Sequence, residues 1–521
     1  MRKLLFILCA FCAGATAEAA VRVAKLFSDN AVLQREVPVR VWGWADVGEK
    51  VTVTLGEMSL EAVAAADGAW SVTFPAQKAA DSVTLTVKGS NTLTFKNVAI
   101  GDVWFCSGQS NMQWTLAGCN APEDVAGADL PKIRFYRTHT IIADTPQAEF
   151  LLDGRSWNVC TPQTAPNCTA VGFYFARDIQ PKAGVTIGLL DTSWGGSSIE
   201  AYLSQGGVAG VPEVASDVKR FESDVANFQK AITAQVPEIE KWCADIKAAA
   251  AQDKLIPVMP ALAQDPRLDN QRLHRKFNAM VAPCVPYAVR GVLWYQGCSN
   301  GGEGDSYMYK TKALVDGWRD LWQTPDLPFY WVQLANFTSD NNRPGGGDGY
   351  ARVRMAQLDA VRLMPKNTGV AVTIDIGMTH DIHPQNKYDV GLRLARWALR
   401  DVYGQKDLVP SGPLYKEMKV EGNAVRIAFD YAGTGLMVGK KDDRAPTVED
   451  KGGKLARFAI AGEDRVWVWA DAKIDGNTVV VTSPDVPKPV AVRYGYSANP
   501  LGANLYNREG LPASPFRTDK W

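Results

Sequence analysis

The chain has 521 residues, 46% hydrophobic and 21% charged, which excludes a disordered or fibrous protein and leaves enough apolar material for two to four packed domains. Lys plus Arg and Asp plus Glu number 56 each, so no basic surplus exists to neutralise phosphates and nucleic acid is not an expected partner. The 16 Trp and 16 Tyr offer faces on which sugar rings stack, although such rings mostly serve as core.

Arg2 and Lys3 precede an apolar run from Leu4 to Ala13, and small residues follow between Ala15 and Ala19. That order is the pattern of a secretory signal peptide, with cleavage expected after Ala17 or Ala19. No later segment has the roughly 18 to 20 uninterrupted apolar residues of a membrane span. A protein exported to the periplasm or beyond, without membrane insertion, is therefore expected. Removing Cys9 and Cys12 with the signal leaves Cys106, Cys119, Cys160, Cys168, Cys243, Cys284 and Cys298. Export permits disulfides, and the odd count leaves at least one thiol free or shared between chains. The four histidines are His139, His274, His380 and His383, and no cysteine or histidine pair has metal-site spacing, so no metal or other cofactor is expected.

From about Val21 to Ala99, short alternating runs are split by turn signals at Asp67-Gly68 and Gly89-Ser90-Asn91. This predicts a small antiparallel β-domain over 20–100. It leads without a linker into GDVWFCSGQSNM at 101–112, where an apolar strand stops at Ser107-Gly108-Gln109 and Ser110 follows. Gly108 permits a sharp turn, and the backbone N–H groups beyond it would face whatever Ser110 attacks. By itself the motif reads equally as a polar turn, because a serine nucleophile needs a base and an oxyanion site.

Apolar runs then alternate with helical stretches, the pattern of a parallel sheet covered on both faces. Candidate strands lie at 102–106, 133–137, 185–191, 289–296, 328–334 and 370–376. Ligand sites in open α/β sheets lie beyond the strands' carboxyl ends. Ser110, Trp194-Gly195-Gly196-Ser197-Ser198, Gln296-Gly297-Cys298-Ser299-Asn300 and Asp381-Ile382-His383-Pro384 should therefore converge. Between Pro212 and Asp265, Val218, Phe221, Val225 and Phe228 recur at spacings of three and four, predicting an amphipathic helical insertion that covers the domain's side or caps the site. Glu200 and Glu222 have only their charge to suggest catalysis. Pro384 disfavours helix at His383, which places this histidine in a loop with Asp381 available to orient it. His380 is its nearest competitor. Strand patterns return beyond Lys406, with a hairpin signal at Asp475-Gly476, and Trp467, Trp469 and Tyr494 either pack in that second β-domain or touch substrate.

Gly101-Asp102 before GQSNM, Asp191-Thr192-Ser193-Trp194-Gly195-Gly196, GVLWYQG at 291–297 and DIHPQNK at 381–387 together resemble the sialate O-acetylesterase group of the SGNH (GDSL-like) hydrolases. The likeness runs to LPASPFRTD at 511–519, nearly the whole mature chain. It implies a multidomain α/β plus β protein: an SGNH-type three-layer α/β/α catalytic domain with a parallel sheet over 101–405, flanked by β-sandwich-like domains at 20–100 and 406–521. It also implies metal-free removal of O-acetyl groups from a sugar or glycan, with sialic acids first and acetylated xylan or xyloglucan as the alternative. By the same resemblance Ser110 is the nucleophile, His383 the base and then acid, and Asp381 the orienting carboxylate. The N–H groups of Ser110 and of Gly195 or Gly196, with the Gln296 amide, form the oxyanion hole, and Asn300 is a further candidate donor.

Two departures stand out. Relatives usually read WYQGES where this chain has Cys298, and a thiol cannot do a carboxylate's work, so a catalytically impaired glycan-binding protein is the contrasting expectation. The wider superfamily places Asp three residues before the histidine, where this chain has His380; Asp381 lies two before. Cys298 as a nucleophile in its own right is disfavoured, since buried cysteines are ordinarily inert and the turn favours Ser110.

Overall fold

In the computed structural model, which describes residues 20–338 and 343–521, a long strand joins the N-terminal β-region to the central sheet. This strand, β1 (Thr92–Gly108), has 17 residues and changes character along its length. Its first part alternates and pairs antiparallel with Ala80–Lys88, while every residue from Val98 onward is buried. The alternation ends because the second part is covered on both faces. No linker separates the two regions, which share this strand's hydrogen bonds. The expected signal segment at 1–19 lies outside the described residues.

The other N-terminal strands form two antiparallel layers, one built on Val39–Trp44 and Ala69–Phe74, the other on Lys50–Leu55, Met58–Val63 and Ala80–Lys88. The Asp67-Gly68 turn falls where expected, and Gly68 takes φ +78°, a left-handed conformation that glycine adopts without strain.

Beyond β1 the chain forms β2 (Leu130–Arg137), β3 (Asn158–Cys160), β4 (Ile187–Asp191), β5 (Gly291–Tyr295), β6 (Phe329–Val332) and β7 (Thr368–Ala371). Their order is β3-β2-β4-β1-β5-β6-β7, parallel throughout except for the antiparallel edge strand β3. The sequence pattern did not indicate β3, a half-polar strand of three residues. The strand expected at 370–376 instead spans Thr368–Ala371. Past Ala371 the chain turns, and the Asp375 carboxylate takes both terminal nitrogens of Arg393 at 2.6 and 2.8 Å.

The helices are α1 (Ser110–Gln113), α2 (Ala170–Ala183), α3 (Ala215–Ala251), α4 (Ser306–Leu321), α5 (Gly349–Leu363) and α6 (Lys387–Asp401), besides five-residue helices at Pro122–Ala126 and Gln205–Ala209 and shorter turns. Alternate strand residues enter separate cores. Trp104, Cys106, Leu293, Tyr330 and Val332 pack with Phe173, Leu394 and Trp397 of α2 and α6. Phe105, Val292, Trp294 and Trp331 pack with Leu314, Trp318 and Leu358 of α4 and α5. Period-two alternation thus puts a helical layer on each face. Each such buried side chain contributes roughly 1.5–3 kcal/mol.

The helical insertion expected over 212–265 is largely α3, whose only buried residue is Asp217. Residues 255–264 form no helix or strand, and Leu255 and Val258 are exposed. Toward the C-terminus, one antiparallel sheet contains Leu414–Glu421, Ala424–Asp430, Asp471–Asp475 and Thr478–Thr482, and another contains Trp467–Trp469, Phe458–Ala461, Ala491–Tyr494 and Phe516–Arg517. Buried Arg354 of α5 donates to the carbonyls of Ser497 and Ala498, tying this region to the central one. All seven cysteines among the described residues are free. No helix there is long and apolar enough to cross a membrane.

Candidate active site

At Gly108 the backbone φ is +132°, and a Cβ here would lie 2.2 Å from the Tyr295 carbonyl oxygen, so glycine alone permits this close approach. Ser110 then opens α1, where its backbone N–H lies outside the helix's own hydrogen bonding. The loop between β7 and α6 brings His383 to it, with Nε2 2.8 Å from Ser110 Oγ. These residues are 273 positions apart in the chain.

Asp381 meets His383 through the backbone first. Its Oδ1 accepts the His383 N–H at 2.8 Å and stands 3.6 Å from Nδ1, an electrostatic distance rather than a hydrogen bond. Trp114 stacks on the imidazole, with ring centroids 4.9 Å apart and planes 14° apart. Burial lowers the His383 pKa below its ordinary value, the Lys387 ammonium adds to that, and Asp381 opposes both. The net shift favours the neutral, proton-accepting imidazole.

Beneath this pair lies a polar clamp. Asn111 Nδ2 donates to the Ile382 carbonyl at 2.9 Å, and Lys387 Nζ donates to Asn111 Oδ1 at 2.5 Å and to the Pro384 carbonyl at 2.6 Å. One fully buried lysine therefore joins the residue after the serine to the residue after the histidine. Burial pushes its ammonium down to about 7.

The glycine loop after β4 forms the other wall. Gly195 is close enough to the serine that a Cβ on it would lie 3.4 Å from Ser110 Cβ, and its N–H donates to Gln113 Oε1 at 2.8 Å. Gly196, at φ +69°, has a backbone N–H without a partner among the described residues. Lys276 supports the loop from below, donating to Ser197 Oγ with its ammonium 4.6 Å from the centre of the Trp194 ring. Burial pushes this lysine to about 7 as well.

Gln296 and Asn300 are turned toward other partners. Gln296 Nε2 donates to the Ser197 carbonyl at 2.9 Å and to Asn300 Oδ1 at 2.7 Å, and its Oε1 accepts from Tyr307 at 2.7 Å. Asn300 Nδ2 donates to Glu200 Oε2 at 3.0 Å and Glu303 Oε1 at 2.7 Å. Both amides brace the glycine loop against a buried cluster in which Lys310 contacts Glu200, Glu303 and Asp217. Burial raises the pKa of Cys298, with the Tyr350 hydroxyl opposing it, so it is a thiol rather than a thiolate.

The structure thus brings Ser110, His383, Asp381, Gly195 and Gly196 together and uses Gln296 and Asn300 as bracing. His380 is exposed, while His139 bonds the Asp153 carbonyl and His274 the Leu203 carbonyl. Trp114, Gln113, Asn111, Lys387 and Lys276 were not singled out from sequence. Gln113 and Trp114 follow Ser110 by three and four residues, a helical-turn spacing that foreshadows their place at the site. Lys276 gave no such signal.

Residues 266–400 match the family described as carbohydrate esterase, sialic acid-specific acetylesterase. The chain is 28% identical to sialate O-acetylesterase of Rattus norvegicus over 546 residues, covering 95% of this chain and 94% of that protein. It is 26% identical to the Homo sapiens enzyme of the same name over 537 residues, covering 95% and 92%. Among solved structures it is similar to a carbohydrate acetylesterase from Xanthomonas citri, with 35% identity, a TM-score of 0.78, and coverage of 96% of this chain and 100% of that one.

Proposed function

The chain belongs to the sialate O-acetylesterase family of carbohydrate esterases, which are carboxylic ester hydrolases, and on that premise we propose that it is an exported enzyme that removes O-acetyl groups, foremost from sialic acids, through a serine acyl-enzyme. The observation that carries this reading is the 2.8 Å contact between His383 Nε2 and Ser110 Oγ at the carboxyl end of β1. The parallel strands around that contact suit the SGNH-type catalytic domain expected over 101–405.

In this mechanism neutral His383 takes the Ser110 proton at Nε2 as Oγ attacks the acetyl carbonyl. The oxyanion accepts from the N–H groups of Ser110 and Gly196, both left unused by the fold. The imidazolium returns the proton to the sugar oxygen, which leaves. Water, deprotonated by the same imidazole, then hydrolyses the acetyl-enzyme. Asp381 stabilises the imidazolium across 3.6 Å and fixes the loop through the His383 N–H.

The alternative substrate is a neutral acetylated polysaccharide such as xylan or xyloglucan, which also falls under the description of the Xanthomonas relative as a carbohydrate acetylesterase. Acetate release from O-acetylated sialic acid and acetylated xylan, side by side with Ser110→Ala, tests the reading. Release from the sialic acid alone supports it, release from xylan alone selects the alternative, and glycan binding without turnover leaves an impaired binding protein. Export rests on the order of residues 2–19. A mature N-terminus at Glu18 or Ala20, read by sequencing the protein from its producing cell, is the expected result.

A further inference from the structure

At the carboxyl end of β2 lies a cleft of about 560 Å³ whose lining includes Gln113, three residues after Ser110. Gln113 links the two. Its side chain lines the cleft, its Oε1 holds the Gly195 N–H at 2.8 Å, and its backbone carbonyl accepts from Arg137 at 3.1 Å. The opposite wall comes from the start of β3, where Asn158 pairs with Phe135, and from the segment around Gln163.

The lining includes two arginines, Arg137 and Arg155, and no carboxylate. Most of the rest are hydroxyl and amide side chains such as Thr138, Asn158 and Gln163. Arg137 is held at the inner end, with Nε 3.5 Å from the buried Asp191 Oδ2. Arg155 is exposed at the outer end and makes no hydrogen bond or ion pair among the described residues. Asp153, the acidic residue of the same loop, is paired with Lys25 at 2.9 Å. A different cleft, against the loops after β4 and β5, is lined by the carboxylates of Glu200, Asp217, Asp269 and Glu303 and by Arg220 and Arg272, which pair with Asp217 and Asp269. The arginines of that cleft are thus already paired, whereas Arg155 has no such partner among the described residues.

We propose that the cleft between Arg137 and Arg155 is a subsite for the carboxylate of an acidic sugar, a sialic or uronic acid, whose acetyl group is presented to Ser110. Hydroxyl and amide groups suit a polyol, and a guanidinium binds a carboxylate in a planar, two-pronged contact. Arg155 contributes the free charge, while Arg137, fixed by Asp191 and Gln113, sets the sugar's distance from the nucleophile. The assignment rests on the esterase reading above and adds the side chains that would recognise the sugar's carboxylate.

The test compares O-acetylated sialic acid with its carboxyl methyl ester, which keeps the sugar and removes the charge, in the wild-type enzyme and in Arg155→Ala. A hydrogen bond to a charged group is worth about 1.5–3 kcal/mol, so wild type should prefer the acid by roughly ten- to a hundredfold in kcat/KM. Arg155→Ala should lose most of that preference and Arg155→Lys should keep part of it. Equal rates on acid and ester in wild type, or an unchanged preference in Arg155→Ala, overturn the subsite. A total absence of acetate release, aryl acetate included, would instead defeat the esterase reading. The subsite is then judged by calorimetric titration of Ser110→Ala with sialic acid, glucuronic acid and xylose. Binding of either acid, lost in the Ser110→Ala/Arg155→Ala double variant, supports it and shows which acid is preferred; no binding, or binding that survives Arg155→Ala, overturns it.

Discussion

Lys310 and Lys387 are both buried lysines bracing loops of the candidate active site, yet the protein solvates them in opposite ways. Burial would discharge Lys310, but the carboxylates of Glu200 and Glu303 more than reverse that, and its pKa is raised. The same contact draws Glu200 below its usual value, whereas Glu303, buried beside Glu200, is raised. Among the described residues Lys387 has only the carbonyl oxygens of Asn111 and Pro384 at hydrogen-bond distance, and its pKa falls to about 7. The cluster behind the glycine loop is thus a scaffold of fixed charge, while the ammonium beneath Ser110 and His383 titrates near neutrality. Cys298 bears on that difference, because its thiol lies near Lys387 at the position where the family resemblance leads to the expectation of a glutamate.

Removing the chemistry while leaving both lysines in place should have the largest effect. Ser110→Ala should lower kcat by about 10⁴-fold or more with an unchanged melting temperature, measured by acetate release and thermal unfolding. Breaking the scaffold comes next. Lys310→Met leaves buried carboxylates uncompensated and should destabilise the fold by about 3–5 kcal/mol in urea titration, with part of the loss recovered on adding Glu200→Gln.

Lys387→Met tests the contrast itself. It cuts the clamp between Asn111 and Pro384, and a displacement of about 1 Å at the histidine loop can lower kcat by up to roughly 10²-fold with KM little changed. Its stability should respond in the other direction. Below pH 7 the lysine is protonated in both folded and unfolded states, so the full cost of burying the charge is present. From about 7 to its ordinary 10.5 the folded state alone has lost the proton, and that cost shrinks as pH rises. The variant's stability relative to wild type should therefore be greatest below pH 7 and decline toward pH 10.5. Loss of the ammonium should also raise the His383 pKa, shifting the acid limb of kcat/KM to higher pH, since partial burial and then Lys387 lower that pKa while Asp381 opposes them.

The smallest effect is expected of Cys298→Glu. A carboxylate near Lys387 should raise the lysine's pKa by about one unit or more and flatten the pH dependence of stability. A large gain in kcat would instead mean that the wild-type enzyme lacks a carboxylate its catalysis requires.

Much of this was legible in the sequence for identifiable reasons. The run at 103–106, the Gly108 turn and the Asp381-Ile382-His383-Pro384 segment are local signals, and the parallel-sheet rule was enough to predict that Ser110 and His383 converge. The edge strand Asn158–Cys160 was missed because three half-polar residues carry no periodicity. The strand near 370 was drawn too long because the apolar run from Val370 to Ile376 hides the turn that the buried Asp375–Arg393 pair imposes. Gln296 and Asn300 illustrate another limit. Their residue type fits an oxyanion donor, but their N–H groups are engaged by Ser197, Asn300, Glu200 and Glu303, and only the fold reveals those partners. The buried lysines were unreadable for the same reason, since burial comes from packing around them.

The most direct test of Ser110 as the nucleophile is peptide mapping by mass spectrometry after exposure to a serine-reactive fluorophosphonate, in wild type and in His383→Ala. The mechanism predicts a single phosphonylated peptide carrying the adduct on Ser110, with labelling strongly slowed in His383→Ala. An unmodified Ser110, or an adduct on Cys298, would contradict it.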